Sequence, residues 1–180
     1  MRFKYWIWPP ETVPSSTCDS WVARYNKDLV GGAVGADEAV DLSVRSSRIK
    51  FVDADDVVGQ MRSFFSEANK NCFGVDLSGT LECQFTQYKA EYSGFYDWHI
   101  DSALVTPTTM FDRKLSCVIL LSDPKEFSGG EFLIFGDQKP VPLRKGSVVV
   151  FPSIYNHKVT PVTGGTRHSM VAWAEGPYWR

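Results

Sequence analysis

The sequence predicts a mainly β fold, a sandwich or barrel with flanking helices. Three observations point there. Strand-like segments crowd the chain after Gly79, separated by Gly, Pro and Asp clusters. No strand–helix alternation occurs after residue 80, which argues against a parallel α/β sheet. The helical patterns all lie ahead of residue 70. At 180 residues the chain is long enough for one sizeable core and short for two. A single domain over 1–180 is therefore expected, with 1–79 as a helical support region and 80–177 as the β core.

Taken in order, "SSTCDSWVARYN" (15–26) reads as a helix. Ser16 with Asp19 three positions on resembles a capping box, and Trp21, Val22 and Tyr25 share a face. Residues 31–50 are rich in Gly and Ser and loop-like, with an edge strand expected near "RIKFV". The clearest helix is 55–69. Val57, Val58, Met61, Phe64, Phe65 and Ala68 form one stripe, and Asp53, Asp55 and Asp56 sit where the helix dipole favours anions. This stripe should pack on a sheet. "TLECQFTQY" then alternates Leu81, Cys83 and Phe85 against Glu82, Gln84, Thr86 and Tyr88. "KLSCVILLS" (114–122), "GEFLIF" (130–135), "SVVVFP" (147–152) and "TRHSMVAWA" (166–174) are further strands. Turn clusters at "DPKEFSGG", "GDQKPVPLRKG" and "TPVTGG" divide them.

A net charge of −2 gives no basic excess for a nucleic-acid partner. The four cysteines form no CxxC, so a zinc knuckle or thioredoxin-type dithiol is not indicated. "MRFKYWIWPPETVPSS" lacks an apolar run of signal length, and no stretch approaches the roughly 18 apolar residues of a membrane span. A cytoplasmic location with reduced thiols is the expectation.

The chemistry centres on "YDWHIDS" (96–102). On a strand, His99 and Asp101 point to the same side and can offer an imidazole nitrogen and a carboxylate oxygen to one ion. His157 follows the apolar strand 147–152, where a chain would turn out of a barrel. Two His and one carboxylate occupy one face of an octahedral Fe(II) and leave three positions open. A structural zinc would need a fourth protein ligand, and no nearby Cys offers itself. Arg167 and Ser169 share a strand face with Val171 and Trp173, while His168, Met170 and Ala172 share the other. A guanidinium and a hydroxyl pointing into a barrel form an anchor for a dicarboxylate. His168 falls on the opposite face and reads as structural or solvent-facing.

His99-x-Asp101, His157 and Arg167-x-Ser169, in that order, resemble the Fe(II)/2-oxoglutarate-dependent oxygenases. The neighbourhood resembles their prolyl 4-hydroxylase-like branch, in its small bacterial and phage members. "QYKAEYSGFYDWHID" carries that branch's pattern through Tyr88, Gly94, Tyr96, His99 and Asp101, and "SGGEFLIF" its turn at Gly129, Gly130 and Glu131. The resemblance covers roughly residues 80–177.

It implies a double-stranded β-helix (a cupin-like jelly roll) forming one oxygenase domain. It implies Fe(II) held by His99, Asp101 and His157, and 2-oxoglutarate held at its distal carboxylate by Arg167, with help from Tyr88 and Ser169. Trp173 would line the site. Arg113, Tyr96 and Trp173 would meet substrate. O2 would be the second cosubstrate, with ascorbate as a supporting reductant. The implied reaction hydroxylates a C–H centre, such as a peptidyl proline, while 2-oxoglutarate is oxidatively decarboxylated to succinate and CO2. Glu175 stands where some prolyl hydroxylases carry a substrate-side histidine, so collagen-type or plant-type specificity does not carry over.

The aromatic run Tyr88, Tyr92, Phe95, Tyr96 and Trp98, and the loop 102–112, suit a peptide or protein substrate in extended, proline-containing form. Other readings are a nucleic-acid or small-molecule oxygenase with the same iron chemistry, and a non-catalytic jelly-roll binding module. Nucleic-acid dealkylation is disfavoured because its enzymes carry a second arginine where this chain has Trp173.

Overall fold

The computed structural model describes residues 4–33, 41–103, 111–135 and 139–178. Two antiparallel sheets face each other, and two helices cover the outer side of the larger one. The elements in chain order are β1 (Trp6–Trp8), α1 (Ser15–Tyr25), β2 (Val30–Gly31), β3 (Arg45–Ser46), β4 (Arg48–Phe51), α2 (Asp55–Ala68), β5 (Leu81–Lys89), β6 (Phe95–His99), β7 (Phe111–Leu120), β8 (Phe127–Gly129), β9 (Phe132–Ile134), β10 (Val148–Pro152), β11 (His157–Val159) and β12 (Val162–Pro177). The larger sheet runs β1-β10-β7-β12-β5-β4-β2, with β8 paired to β12, and the smaller runs β3-β6-β11-β9.

The helical stripe of α2 packs where its period says it should. Val57, Met61, Phe64, Phe65 and Ala68 are buried, as are Cys18, Trp21 and Tyr25 of α1. They meet Cys83 and Phe85 of β5, Cys117 and Ile119 of β7, and Met170 and Ala172 of β12 in one apolar layer. The opposite face of the same sheet looks into the barrel. There Val118, Val149, Phe151 and Tyr88 join Phe132, Ile134 and Val159 of the smaller sheet. Both faces of the large sheet are thus buried, and the side-chain period of two sorts each strand's residues between two cores.

All five strands expected after residue 80 are present, and so is the edge strand near residue 48. Several details differ from the expectation. The stretch "TPVTGG" is not a turn after its first two residues. β12 begins at Val162, because β8 supplies backbone partners to Val162, Gly164 and Gly165. The remaining strands, β1, β2, β3, β6, β8 and β11, are two to five residues long, too short to display a readable alternation.

The start of α1 also differs. Pro14 precedes the helix and makes no side-chain cap, and Glu11 instead accepts hydrogen bonds from the Ser15 amide (2.9 Å) and the Ser15 hydroxyl. Asp19, expected in a capping box with Ser16, reaches Lys145 at 2.5 Å. A carboxylate four residues upstream thus satisfies the first amide of the helix, Ser15, in place of a cap from Ser16. Residues 104–110, inside the loop expected to flank substrate, and 136–138 lie outside the described residues.

Candidate metal and cosubstrate site

His99 closes β6 and His157 opens β11, and the two stand directly opposite each other in register. Asp101 follows two residues beyond His99. Its amide and that of Ser102 both donate to the carbonyl of Ser153 (2.9 and 3.1 Å), which turns the chain inward at the strand's end. One ligand atom from each of His99, Asp101 and His157 lies within 4.8 Å of the others. His99 Nε2 stands 3.7 Å from Asp101 Oδ1, and His157 Nε2 stands 3.4 Å from Asp101 Oδ2. The three residues that the sequence singled out as one donor set therefore converge.

Each imidazole is oriented by its other nitrogen. His99 Nδ1–H donates to the Asp97 carbonyl (2.7 Å) and His157 Nδ1–H to the Tyr155 carbonyl (2.9 Å). That fixes the tautomer and leaves both Nε2 lone pairs facing the common point. Tyr96 stacks on His99 with ring centroids 3.4 Å apart, and Phe132 and Phe151 present edges to His157. Burial, followed by the neighbouring His157, pushes the His99 pKa down to about 3 and keeps its ring neutral and able to bind metal. Burial alone would raise Asp101. His157, His99 and the Ser116 hydroxyl outweigh it and hold the carboxyl below its ordinary range. Ser116 donates to Asp101 Oδ2 at 2.6 Å, and its oxygen lies 2.9 Å from the Ser153 hydroxyl. This donor set of two imidazoles, each with Nε2 turned to the common point, and one carboxylate fits a divalent first-row metal with open positions.

Arg167 enters the barrel from β12 opposite Tyr88 of β5. It is 2% exposed, and its Nη1 donates to Ser169 Oγ at 3.3 Å. Its guanidinium carbon stands 5.5 Å from the centre of the Tyr88 ring. No carboxylate pairs with it among the described residues, and burial lowers its pKa. A buried guanidinium facing a neutral hydroxyl and a phenol is a charge awaiting an anion. Gly130 (φ +63°) packs against its stem, where an added Cβ would sit 2.9 Å from Arg167 Cδ. Burial raises the pKa of the Tyr88 phenol, which lies within the electrostatic reach of Arg45, Arg167 and Asp101.

Other expected site residues are placed as follows. Trp173 is 6% exposed and lies near enough to Asp101 to lower its pKa, but its indole N–H closes no hydrogen bond of ordinary geometry. Arg113 lies over the Trp173 ring at 4.0 Å and is paired with Glu82 at 2.6 Å. Of the aromatics of 88–98, Tyr88 and Tyr96 join one apolar cluster. Tyr88 is inside the barrel, Tyr92 donates to the Gln87 carbonyl (3.2 Å), and Lys158 sits 4.9 Å over Trp98. His168 is buried on the helix side against Phe85, as its strand parity required.

Sequence reasoning assigned no role to Ser116, Ser153, Gln84, Thr86 or Arg45. Gln84 and Thr86, hydrogen-bonded to each other at 2.8 Å, lie on the barrel face of β5 beside Ser169 and Val171. Their parity with Tyr88 was the available signal. Ser116 had one too, as a lone hydroxyl within an apolar strand.

A model of the 2OG-Fe(II) oxygenase superfamily matches residues 83–175. A PKHD-type hydroxylase from Colwellia psychrerythraea is 34% identical over 84 residues, which cover 46% of this chain and 38% of that protein. The chain thus spans less than half of that relative's length. A crystal structure of a Pseudomonas putida prolyl-4-hydroxylase superposes with a TM-score of 0.74 at 21% identity, covering 99% of this chain and 95% of that one. A prolyl hydroxylase from Trichoplax adhaerens, in complex with a hypoxia inducible factor peptide fragment, gives a TM-score of 0.73 at 16% identity, covering 95% and 83%. These structural likenesses establish the jelly-roll fold. The matched stretch runs from β5 into β12 and carries both barrel histidines, Asp101 and the buried arginine, and the chain belongs to the 2OG-Fe(II) oxygenase superfamily.

Proposed function

We propose that the chain is an Fe(II)- and 2-oxoglutarate-dependent dioxygenase of the prolyl 4-hydroxylase type. His99, Asp101 and His157 hold the iron. Arg167, with Ser169 and Tyr88, holds the distal carboxylate of 2-oxoglutarate. The observation that carries this reading is the convergence of a His/Asp/His donor set in the same barrel as a buried guanidinium with which no carboxylate pairs among the described residues. The iron–2-oxoglutarate pair supplies the oxidising chemistry: one oxygen atom of O2 enters a substrate C–H bond and the other leaves in succinate, with CO2 released and ascorbate as a supporting reductant.

The protein's own part is orientation and exclusion of water. Backbone carbonyls of Asp97 and Tyr155 aim the imidazoles, and Ser116 occupies Asp101 Oδ2. The apolar walls of Val118, Val149 and Phe151 surround the site with low dielectric, which strengthens the pairing of Arg167 with a diacid.

The substrate is a peptide or protein bearing an accessible proline. Support comes from the two prolyl hydroxylases that share the fold, one of them holding a peptide. Tyr96, Trp173 and Arg113 are the substrate-side residues of this reading. The Glu82 carboxylate holds Arg113 across the Trp173 ring. A proline-containing peptide library incubated with protein, Fe(II), 2-oxoglutarate and O2 tests it. The expected result is a mass gain of one oxygen on a proline, with stoichiometric succinate. Succinate formation with oxygen on a different residue or on a nucleobase would reassign the substrate. No succinate under any substrate would refute the enzyme.

A further inference from the structure

We infer that Arg45 is a positioning residue for the metal ligand His99, acting through the Tyr96 ring. The inference rests on the metal-site reading above and extends it to a residue outside the matched family segment. Arg45 lies on β3, directly opposite Tyr96 of β6. Its guanidinium carbon stands 4.5 Å from the Tyr96 ring centroid. On its other side, Tyr96 lies 3.4 Å from the His99 imidazole and only 13° from parallel. The result is a three-layer stack of guanidinium, phenol and imidazole.

Arg45 is built into place. It is 6% exposed, its Nε donates to Ser47 Oγ (2.7 Å) and its Nη1 to the Ala33 carbonyl (3.0 Å). Both acceptors are neutral, and no carboxylate pairs with it among the described residues. Burying a cation without a counter-ion is costly, and the face of an electron-rich ring is one of the few uncharged partners that offsets the cost. Gly32 completes the cradle: an added Cβ there would sit 2.5 Å from both Arg45 Nε and Ser47 Oγ.

Because the Asp97 carbonyl fixes one edge of His99, the stack fixes the plane of the ring. Together they hold Nε2 on the common point with Asp101 and His157. The hydrogen bonds of Arg45 go to Ser47 and Ala33 and to none of the three donor residues, although its charge is felt at both His99 and Tyr88. Two of its N–H groups are held by Ser47 and Ala33 and its guanidinium carbon lies over Tyr96, whereas Arg167 lies over Tyr88 and donates to Ser169.

The test uses Co(II) alone as the metal probe, then 2-oxoglutarate added to the Co(II)-loaded protein. Arg45→Met keeps the length of the stem and removes the planar cation. The expected result is a loss of about tenfold or more in Co(II) affinity, the scale seen for partners that orient a ligand. The hyperfine-shifted, exchangeable imidazole N–H resonance of His99 should move or broaden while that of His157 stays. Affinity for 2-oxoglutarate in the loaded protein should not change. Arg45→Lys should not rescue, since an ammonium lacks the stacking plane, and Gly32→Ala should reproduce the defect by displacing the guanidinium.

If Arg45→Met does not fold, Tyr96→Phe against Tyr96→Leu decides. Phe keeps a stacking ring and should retain Co(II) affinity, and Leu should lose it. Wild-type Co(II) affinity with both resonances unmoved in Arg45→Met, or in Tyr96→Leu, overturns the inference. So does a collapse of 2-oxoglutarate affinity with Co(II) binding intact, which would make Arg45 a second anion anchor. Failure of the wild type to bind Co(II), or wild-type binding by His157→Ala, would instead remove the metal site itself.

Discussion

The two faces of the large sheet divide stability from chemistry. On the helix side, Cys83, Phe85, Cys117, Ile119, Met170 and Ala172 are buried with no role but packing. On the barrel side, one residue along, Gln84, Thr86, Ser116, Arg167 and Ser169 are just as buried but polar. The same strands therefore carry opposite residue types at equal burial. A buried polar group is tolerated only where it has a partner or serves a ligand. The barrel face meets that condition through the Gln84–Thr86, Ser116–Asp101 and Arg167–Ser169 contacts.

Substitutions on alternate residues should separate the two roles. The largest stability effect is expected on the helix side. Phe85→Ala should lose about 3–5 kcal/mol in denaturant unfolding, through lost burial and the cavity left behind, with 2-oxoglutarate affinity unchanged in the protein that remains folded. On the barrel side of β12, three residues from the Met170 that faces Phe85, Arg167→Ala should do the reverse. It should weaken 2-oxoglutarate binding by roughly 30-fold or more, the lower end of about 2 kcal/mol for truncating a buried charged pair, and leave the affinity for metal alone intact. Equal effects of the two variants on both measurements would erase the distinction. Ser116→Ala should weaken metal binding about 10–100-fold by freeing Asp101, with Ser116→Thr restoring it, as measured by Co(II) titration.

A pH-dependent effect is expected from His168, the one histidine on the helix face. Burial, first, and then Lys89 and Arg167 lower its pKa to about 4, against about 6.5 when unfolded. Between those values the unfolded chain binds the extra proton. Its contribution to stability is therefore full above about pH 6.5 and falls toward pH 4, by at most ~1.4 kcal/mol per pH unit. Subtracting the pH profile of His168→Gln isolates that slope. A difference curve that is flat over this range would show that His168 is not buried as a neutral ring.

Much of this division was legible beforehand. The alternation of β5 and β12 assigned Arg167 and Ser169 to one side and His168 and Met170 to the other, and the donor set followed from three residue types at the ends of strands. What the alternation could not reveal was that the polar side of "TLECQFTQY" is interior rather than solvated, because that depends on the second sheet closing over it. Ser153 and Arg45 were illegible for a related reason. Their roles depend on contacts between segments far apart in sequence, Ser153 with Asp101 and Arg45 with Tyr96. Arg45 also sits in a two-residue strand with no pattern to read.

The central claim is that one ferrous ion and one 2-oxoglutarate meet between the His/Asp/His set and Arg167. Anaerobic titration of the protein with Fe(II) and then 2-oxoglutarate, followed by visible absorption, tests it most directly. The account predicts a weak charge-transfer band that saturates at one equivalent of iron, is absent in His157→Ala, and requires far more 2-oxoglutarate in Arg167→Ala. A wild-type protein that binds neither component, or a band that survives unchanged in His157→Ala, would contradict it.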